Sequence, residues 1–156
     1  MLKKFVRTMA YIGGIATGFY LFASAPGIHK KTKWQHLTGW DYAHRGLYDN
    51  EHGIPENSMA AFRRAVDKGY GIELDVHLTA DNQLVVFHDD TLTRMCGMNK
   101  KISSFLYSDL MQLRLLGTEE GIPLFKDVLE LIDGKVPLII ELKVDGSNQN
   151  LLCPLV

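Results

Sequence analysis

Cysteine is nearly absent: Cys96 and Cys153 are the two in the chain, far apart and without CxxC spacing. That excludes a disulfide framework and a cysteine zinc site, and both read as buried small hydrophobes. A dominant charge of one sign is also missing. The formal net charge is −1, and no stripe of Lys and Arg is interleaved with aromatics, so no nucleic-acid partner is expected. Repeats and low-complexity tracts are absent as well, which sets repeat architectures aside. At 156 residues, one domain is the default.

Long apolar runs are confined to the N-terminus. Lys3, Lys4 and Arg7 precede MAYIGGIATGFYLFASAP, residues 9–26, a stretch without charge. It is just long enough to span a bilayer core as a helix. A secretory signal has the same layout, and Ala23-Ser24-Ala25 offers a small-residue cleavage pattern. Pro26 would follow the cut, so an uncleaved single-pass anchor is preferred. A buried core helix is disfavoured by Gly13, Gly14 and Gly18. Lys30, Lys31 and Lys33 balance the N-terminal cations, so the membrane side stays undetermined. The expected organisation is an anchor or signal segment at 1–26, a basic juxtamembrane linker at 27–40 and a folded domain at 41–156. A membrane location is expected, with secretion as the alternative.

Within the folded part, DYAHRG from Asp41 predicts a short strand. Asn57 or Ser58 caps a helix carrying Phe62, Ala65 and Val66 at i, i+3, i+4 spacing, closed by Gly69 and Gly71. GIELDVHLT alternates strictly, and LVVFHDD follows the turn cluster Ala80-Asp81-Asn82. Residues 103–115 predict a helix opened by Ser103 or Ser104. Pro123 opens another, with Leu124, Val128, Leu131 and Ile132 on one face. VPLIIELK predicts a strand, and SNQNLLCPLV begins a helix. Strands alternating with helices imply an α/β fold with a parallel sheet covered by helices.

The chemistry lies in the strands. In GIELDVHLT, Ile72, Leu74, Val76 and Leu78 share one face, and Glu73, Asp75, His77 and Thr79 share the other. Both faces of a parallel sheet are normally covered, so an inward acidic row is costly. Glu141 brings a third carboxylate inside the apolar run of VPLIIELK. Three carboxylates without cysteine describe a hard-cation site, better suited to Mg²⁺ or Ca²⁺ than to Zn²⁺. The plainer reading, an ion pair of Glu73 or Asp75 with Lys143 or Arg45, does not need three acids. His44 and His88 each end a strand candidate. Two imidazoles flanking a metal suit phosphoryl chemistry, one taking a proton from the nucleophile and the other giving one to the leaving alkoxide. Arg45 offers a planar fork for a phosphate. His29, His36 and His52 read as ordinary core or surface residues, while His77 stays open.

AHRG, PENS, IELDV, LVVFHDDTLTR, IPLF and IIELK occur in that order from about Asp41 to Lys143. This composite resembles the ordered signature of the glycerophosphodiester phosphodiesterases, a family within the phospholipase C-like phosphodiesterase superfamily. The resemblance implies a TIM-type (β/α) barrel and hydrolysis of glycerophosphodiesters to sn-glycerol 3-phosphate and an alcohol. By the same resemblance Glu73, Asp75 and Glu141 match the metal ligands, and His44 and His88 the catalytic histidines. Arg45 and Lys143 match the phosphate contacts, and Glu56 matches an acid near the site. Ser58 stands where threonine is more usual.

A full barrel takes about 250 residues, whereas about four strands are read here. The expectation is therefore the N-terminal half of a barrel, a C-terminally incomplete and weakly active form prone to associate. Two alternatives are carried: another phospholipase C-like phosphodiesterase acting on lysolipids, and a non-catalytic membrane-tethered binding module.

Overall fold

The computed structural model describes residue 14, residues 16–24 and 35–146, and residues 148, 150 and 152. The chain divides into two compact units, Met1–His36 and Leu37–Val156. In the first, residues 16–24 are helical. Among the described residues no helix is long and apolar enough to cross a membrane. The expected transmembrane or signal-anchor helix therefore finds no support there. Most of it, and of the expected linker, falls on residues 1–13, 15 and 25–34, outside the described residues.

The second unit is built around one long strand. Strand β1 covers Tyr42–His44, β2 Gly71–Leu78, β3 Leu84–Val86 and β4 Leu138–Leu142. β1 runs parallel to the start of β2, with His44 opposite Glu73. β4 runs parallel along the other edge, with Asp75 opposite Glu141. β3 pairs antiparallel with the end of β2, Val76 opposite Val86. β1, β2 and β4 thus form the expected parallel sheet, and the antiparallel β3 is the one strand that departs from it among the described residues. A parallel return needs a crossover of roughly a dozen residues or more, and the turn after β2 is far shorter. It is locked by Thr79, whose Oγ1 donates to Asp81 Oδ1 at 2.6 Å and accepts from Gln83 N at 2.9 Å. Asn82 supplies the left-handed residue, φ 59°.

Helix α1, Met59–Asp67, begins where Ser58 Oγ accepts from Ala61 N at 3.2 Å. Its buried residues Ala61, Phe62 and Ala65 recur at one face. Helix α2 is the short turn Thr93–Cys96 and α3 is Tyr107–Leu110. Helix α4, Phe125–Ile132, buries Phe125, Val128 and Ile132 and ends at Asp133 in the left-handed region, φ 48°. Together α1 and α4 cover Ile72, Leu74, Val76 and Leu78 in the main core. A second core gathers Val85, Phe87, Leu92, Met95, Ile102, Leu110, Leu115 and Ile122 under the long segment after β3.

Three local expectations are corrected. The helix expected over 103–115 is broken into a 3₁₀ turn at Ile102–Ser104, α3, and a 3₁₀ turn at Leu115–Gly117. Between them Phe105 and Leu106 are extended, because Phe105 O accepts from Ala80 N and Tyr107 N donates to Asp81 Oδ1. The helix expected from Pro123 starts at Phe125, since Pro123 O accepts from Val86 N at 2.9 Å and belongs to the sheet edge. Cys96 is half-buried rather than buried, and burial pushes its thiol up to about 11. The helix expected over SNQNLLCPLV and the burial of Cys153 lie mostly outside the described residues.

Candidate active site

The alternation of β2 places Glu73, Asp75 and His77 on the face opposite the main core. Register then does what the sequence pattern alone does not. β4 docks so that Glu141 stands beside Asp75, and Glu73, Asp75 and Glu141 each offer an oxygen within 4.8 Å of the others. Asp75 has no solvent exposure, Glu73 is half-buried and Glu141 is exposed. An ionised carboxylate as deep as Asp75 costs several kcal/mol unless its charge is matched. Asn57 Nδ2 donates to its Oδ2 at 2.9 Å, and Lys143 Nζ lies 3.0 Å from Oδ1. Arg45 Nε is 3.8 Å from Oδ2.

Lys143 also donates to Glu141 Oε1 at 2.5 Å. Burial works against the Lys143 ammonium, but the hydrogen bond to Glu141 and the Asp75 carboxylate beside it outweigh it and raise its pKa. The ion pairs expected as the plainer reading are therefore present alongside the acid cluster. They do not exhaust it. Asp75 Oδ1 has an ionic neighbour but no well-aimed hydrogen bond, and Asn57 Oδ1 is buried without a partner. Glu73 Oε2 receives one N–H, from Arg45 N at 3.2 Å. An all-oxygen donor set with lone pairs still free fits a hard divalent cation.

The segment after β1 is held in unusual backbone geometry. Arg45 has φ 58° and Asn57 φ 53°, each costing on the order of 1 kcal/mol or more. Both are pinned: Arg45 N donates to Glu73 O, and Asn57 N donates to Arg45 O, each at 2.9 Å. At Gly46, φ 79°, a Cβ would sit 2.9 Å from the Ala61 Cβ, so only glycine lets this loop pass against α1. The result aims Arg45 Nη1 at Glu56 Oε1, 2.8 Å away. Burial pushes against the Glu56 charge, yet hydrogen bonds from Arg94 and Arg45 hold its carboxyl below the usual range.

The two strand-end histidines differ. The His44 side chain is 64% exposed, with Nε2 3.8 Å from Glu73 Oε2. His88 Nδ1 lies 2.7 Å from Asp89 Oδ1. Hydrogen bonds from Arg94 hold the Asp89 carboxyl down at about 2. His77, left open by its sequence, is buried, and burial lowers its pKa. It is thus neutral near pH 7, and its Nε2 donates to His88 O at 3.3 Å. His36 and His52 are exposed, and His29 lies outside the described residues.

Three participants escape sequence reasoning. Asn57 reads as a helix cap, Asp89 as part of a strand end, and Arg94 as the tail of a motif. Their partners lie 18 or 38 residues away or depend on such a partner, so no local spacing points to them. Two surface cavities, one at Trp40–Lys68–Tyr70 and one at Leu84–Leu124–Leu129, contain none of the expected site residues.

A family model described as the glycerophosphoryl diester phosphodiesterase family matches residues 44–154. The chain is 32% identical over 152 residues to lysophospholipase D GDPD1 of Rattus norvegicus, covering 89% of this chain and 47% of that protein. It is 37% identical over 113 residues to a glycerophosphodiester phosphodiesterase of Bacillus altitudinis, covering 68% and 45%. The chain spans about half the length of the curated relatives it matches. Among solved structures it resembles a phosphodiesterase of Oleispira antarctica in complex with the product sn-glycerol-3-phosphate. That match has 28% identity and a TM-score of 0.67 over 76% of this chain and 50% of that one. The sheet and its helices share that protein's α/β fold.

Proposed function

Since the chain belongs to the glycerophosphoryl diester phosphodiesterase family, we propose that it hydrolyses glycerophosphodiesters to sn-glycerol 3-phosphate and an alcohol. In this reading Glu73, Asp75 and Glu141 hold a divalent cation, Mg²⁺ or Ca²⁺. When bound, the cation supplies positive charge to phosphate oxygens that become more negative as the reaction proceeds. Arg45 and Lys143 bring two further cations to the same place, already oriented by Asp75. Glu56 Oε1 accepts from Arg45 Nη1 and helps to orient that side chain. One of His44 and His88 accepts a proton from the attacking water, and the other protonates the departing alkoxide. The phosphorus–oxygen bond to the alcohol breaks as a new one forms to the attacking oxygen.

A single observation carries this reading: the Asp75–Glu141 register, which completes a three-carboxylate cluster beside two cations. The test is a coupled assay for glycerol 3-phosphate on this chain and on Glu73→Ala, with and without chelator. Product release that chelator and the substitution both abolish is expected. Release indifferent to both would overturn the metal reading, and no release from the unmodified chain would overturn the activity. A lysophospholipid substrate is the second reading. What favours it is that similarity to the lysophospholipase D covers 89% of the chain, against 68% for the Bacillus enzyme. Lysophosphatidylcholine turned over faster than glycerophosphocholine would decide for it.

A further inference from the structure

Arg94 has no part in the reaction just described, yet its guanidinium uses both edges. Nε and Nη2 donate to Asp89 Oδ2 and Oδ1 at 2.8 and 2.9 Å. Nη1 and Nη2 donate to Glu56 Oε2 and Oε1 at 2.9 and 2.7 Å. The side chain is 44% exposed, and a lone exposed ion pair adds little stability. Two bidentate pairs on one planar group are a different matter, because they permit a single geometry. The stability gain is modest; the gain in orientation is large.

We propose that Arg94 is a positioning residue that fixes the tautomer and ring orientation of His88 and ties them to the Arg45 side of the site. The charges alternate along one connected path: Arg45, Glu56, Arg94, Asp89 and then the His88 ring. This path joins the segment after β1 to the segment after β3. The backbone supplies no such joint, since β1 and β3 each pair with β2 and not with one another.

The consequence at His88 follows from donor counting. Asp89 Oδ1 faces both Arg94 Nη2 and His88 Nδ1. Arginine stays protonated, so the carboxylate it clasps is ionised and can only accept. His88 Nδ1 must then carry the proton, and in the neutral ring the lone pair is left on Nε2. Without Arg94 the Asp89 carboxylate loses two donors and is free to turn away from the ring. Both tautomers then become accessible. This role rests on the proposed hydrolysis for its kinetic consequence, but not for the state of the ring.

The test uses the full chain with ¹⁵N-labelled histidine, observed by long-range ¹H–¹⁵N correlation at a pH where the imidazoles are neutral. His88→Gln assigns the signal. The unmodified chain is expected to show His88 protonated on Nδ1 and unprotonated on Nε2. Arg94→Met is expected to give a mixture of tautomers. In hydrolysis it is expected to lower kcat by about tenfold or more while KM changes by less than about threefold. Arg94→Lys keeps the charge but not the two-edged fork, and is expected to restore neither property; if Arg94→Met does not fold, the lysine variant decides by the same criteria. An unchanged His88 pattern in a folded variant, or full restoration by lysine, would overturn the proposal. An inactive unmodified chain would count against hydrolysis and leave the ring measurement to decide the role of Arg94.

Discussion

Apart from the half-buried Glu73, the two faces of β2 are buried to nearly the same degree by opposite means. On one face Ile72, Leu74 and Val76 have no exposure and sit under α1 and α4. On the other, Asp75 has none either and His77 almost none. The first face is stabilised by removing apolar surface from water, at about 25 cal/mol per Å². The second gains nothing that way and is held by Asn57, Lys143 and Arg45 around one carboxylate. Replacing such a pair by apolar residues is often neutral or stabilising. A strand that keeps the charges is therefore organised for something other than stability.

Substitutions on the two faces should separate along that line. Asp75→Asn is expected to have the largest effect, a loss of hydrolysis of about 10³-fold, equivalent to roughly 4 kcal/mol. A glycerol 3-phosphate assay checks it, and circular dichroism should show the fold retained. Leu74→Ala, one residue away, should behave in reverse. It is expected to cost about 3 kcal/mol of stability in denaturant melts, while the folded fraction keeps its cation binding. If both substitutions cost stability alone, the two faces have the same purpose and the comparison fails. Ser58→Ala is expected to cost about 1 kcal/mol, because α1 loses its cap.

A further effect concerns pH. The folded Asp89 carboxyl titrates at about 2, below its unfolded value of about 3.9. Its contribution is thus fully present above about pH 4 and lost as the pH falls toward the folded value. Asp89→Asn should flatten the acid side of the stability profile between about pH 4 and pH 2, read by urea titration. An unchanged slope would mean that the Arg94 clasp adds nothing measurable.

Much of this arrangement is legible before folding is considered. Period-two alternation finds β2 and separates its faces, and the Ser58 cap with Phe62 and Ala65 finds α1. Both are local signals. What escapes depends on distant partners. The apolar residues over 103–115 do become core, but Ala80 and Asp81 claim the backbone at 105–107, and a continuous helix is lost. Pro123 looks like a helix start until the Val86 amide takes its carbonyl. At the site, residue types identify three acids and two imidazoles, but the β2–β4 register decides that Asp75 and Glu141 meet. Arg94 lies in plain view in LVVFHDDTLTR, and nothing within five residues hints that it reaches Glu56.

Whether the acid face is a cation site is the claim on which the rest depends, and isothermal titration of the chain with Mg²⁺ and with Ca²⁺ tests it without reference to turnover. One saturable site is predicted, lost in Asp75→Asn and kept in Leu74→Ala. No binding by the unmodified chain, or equal binding by Asp75→Asn, would contradict it.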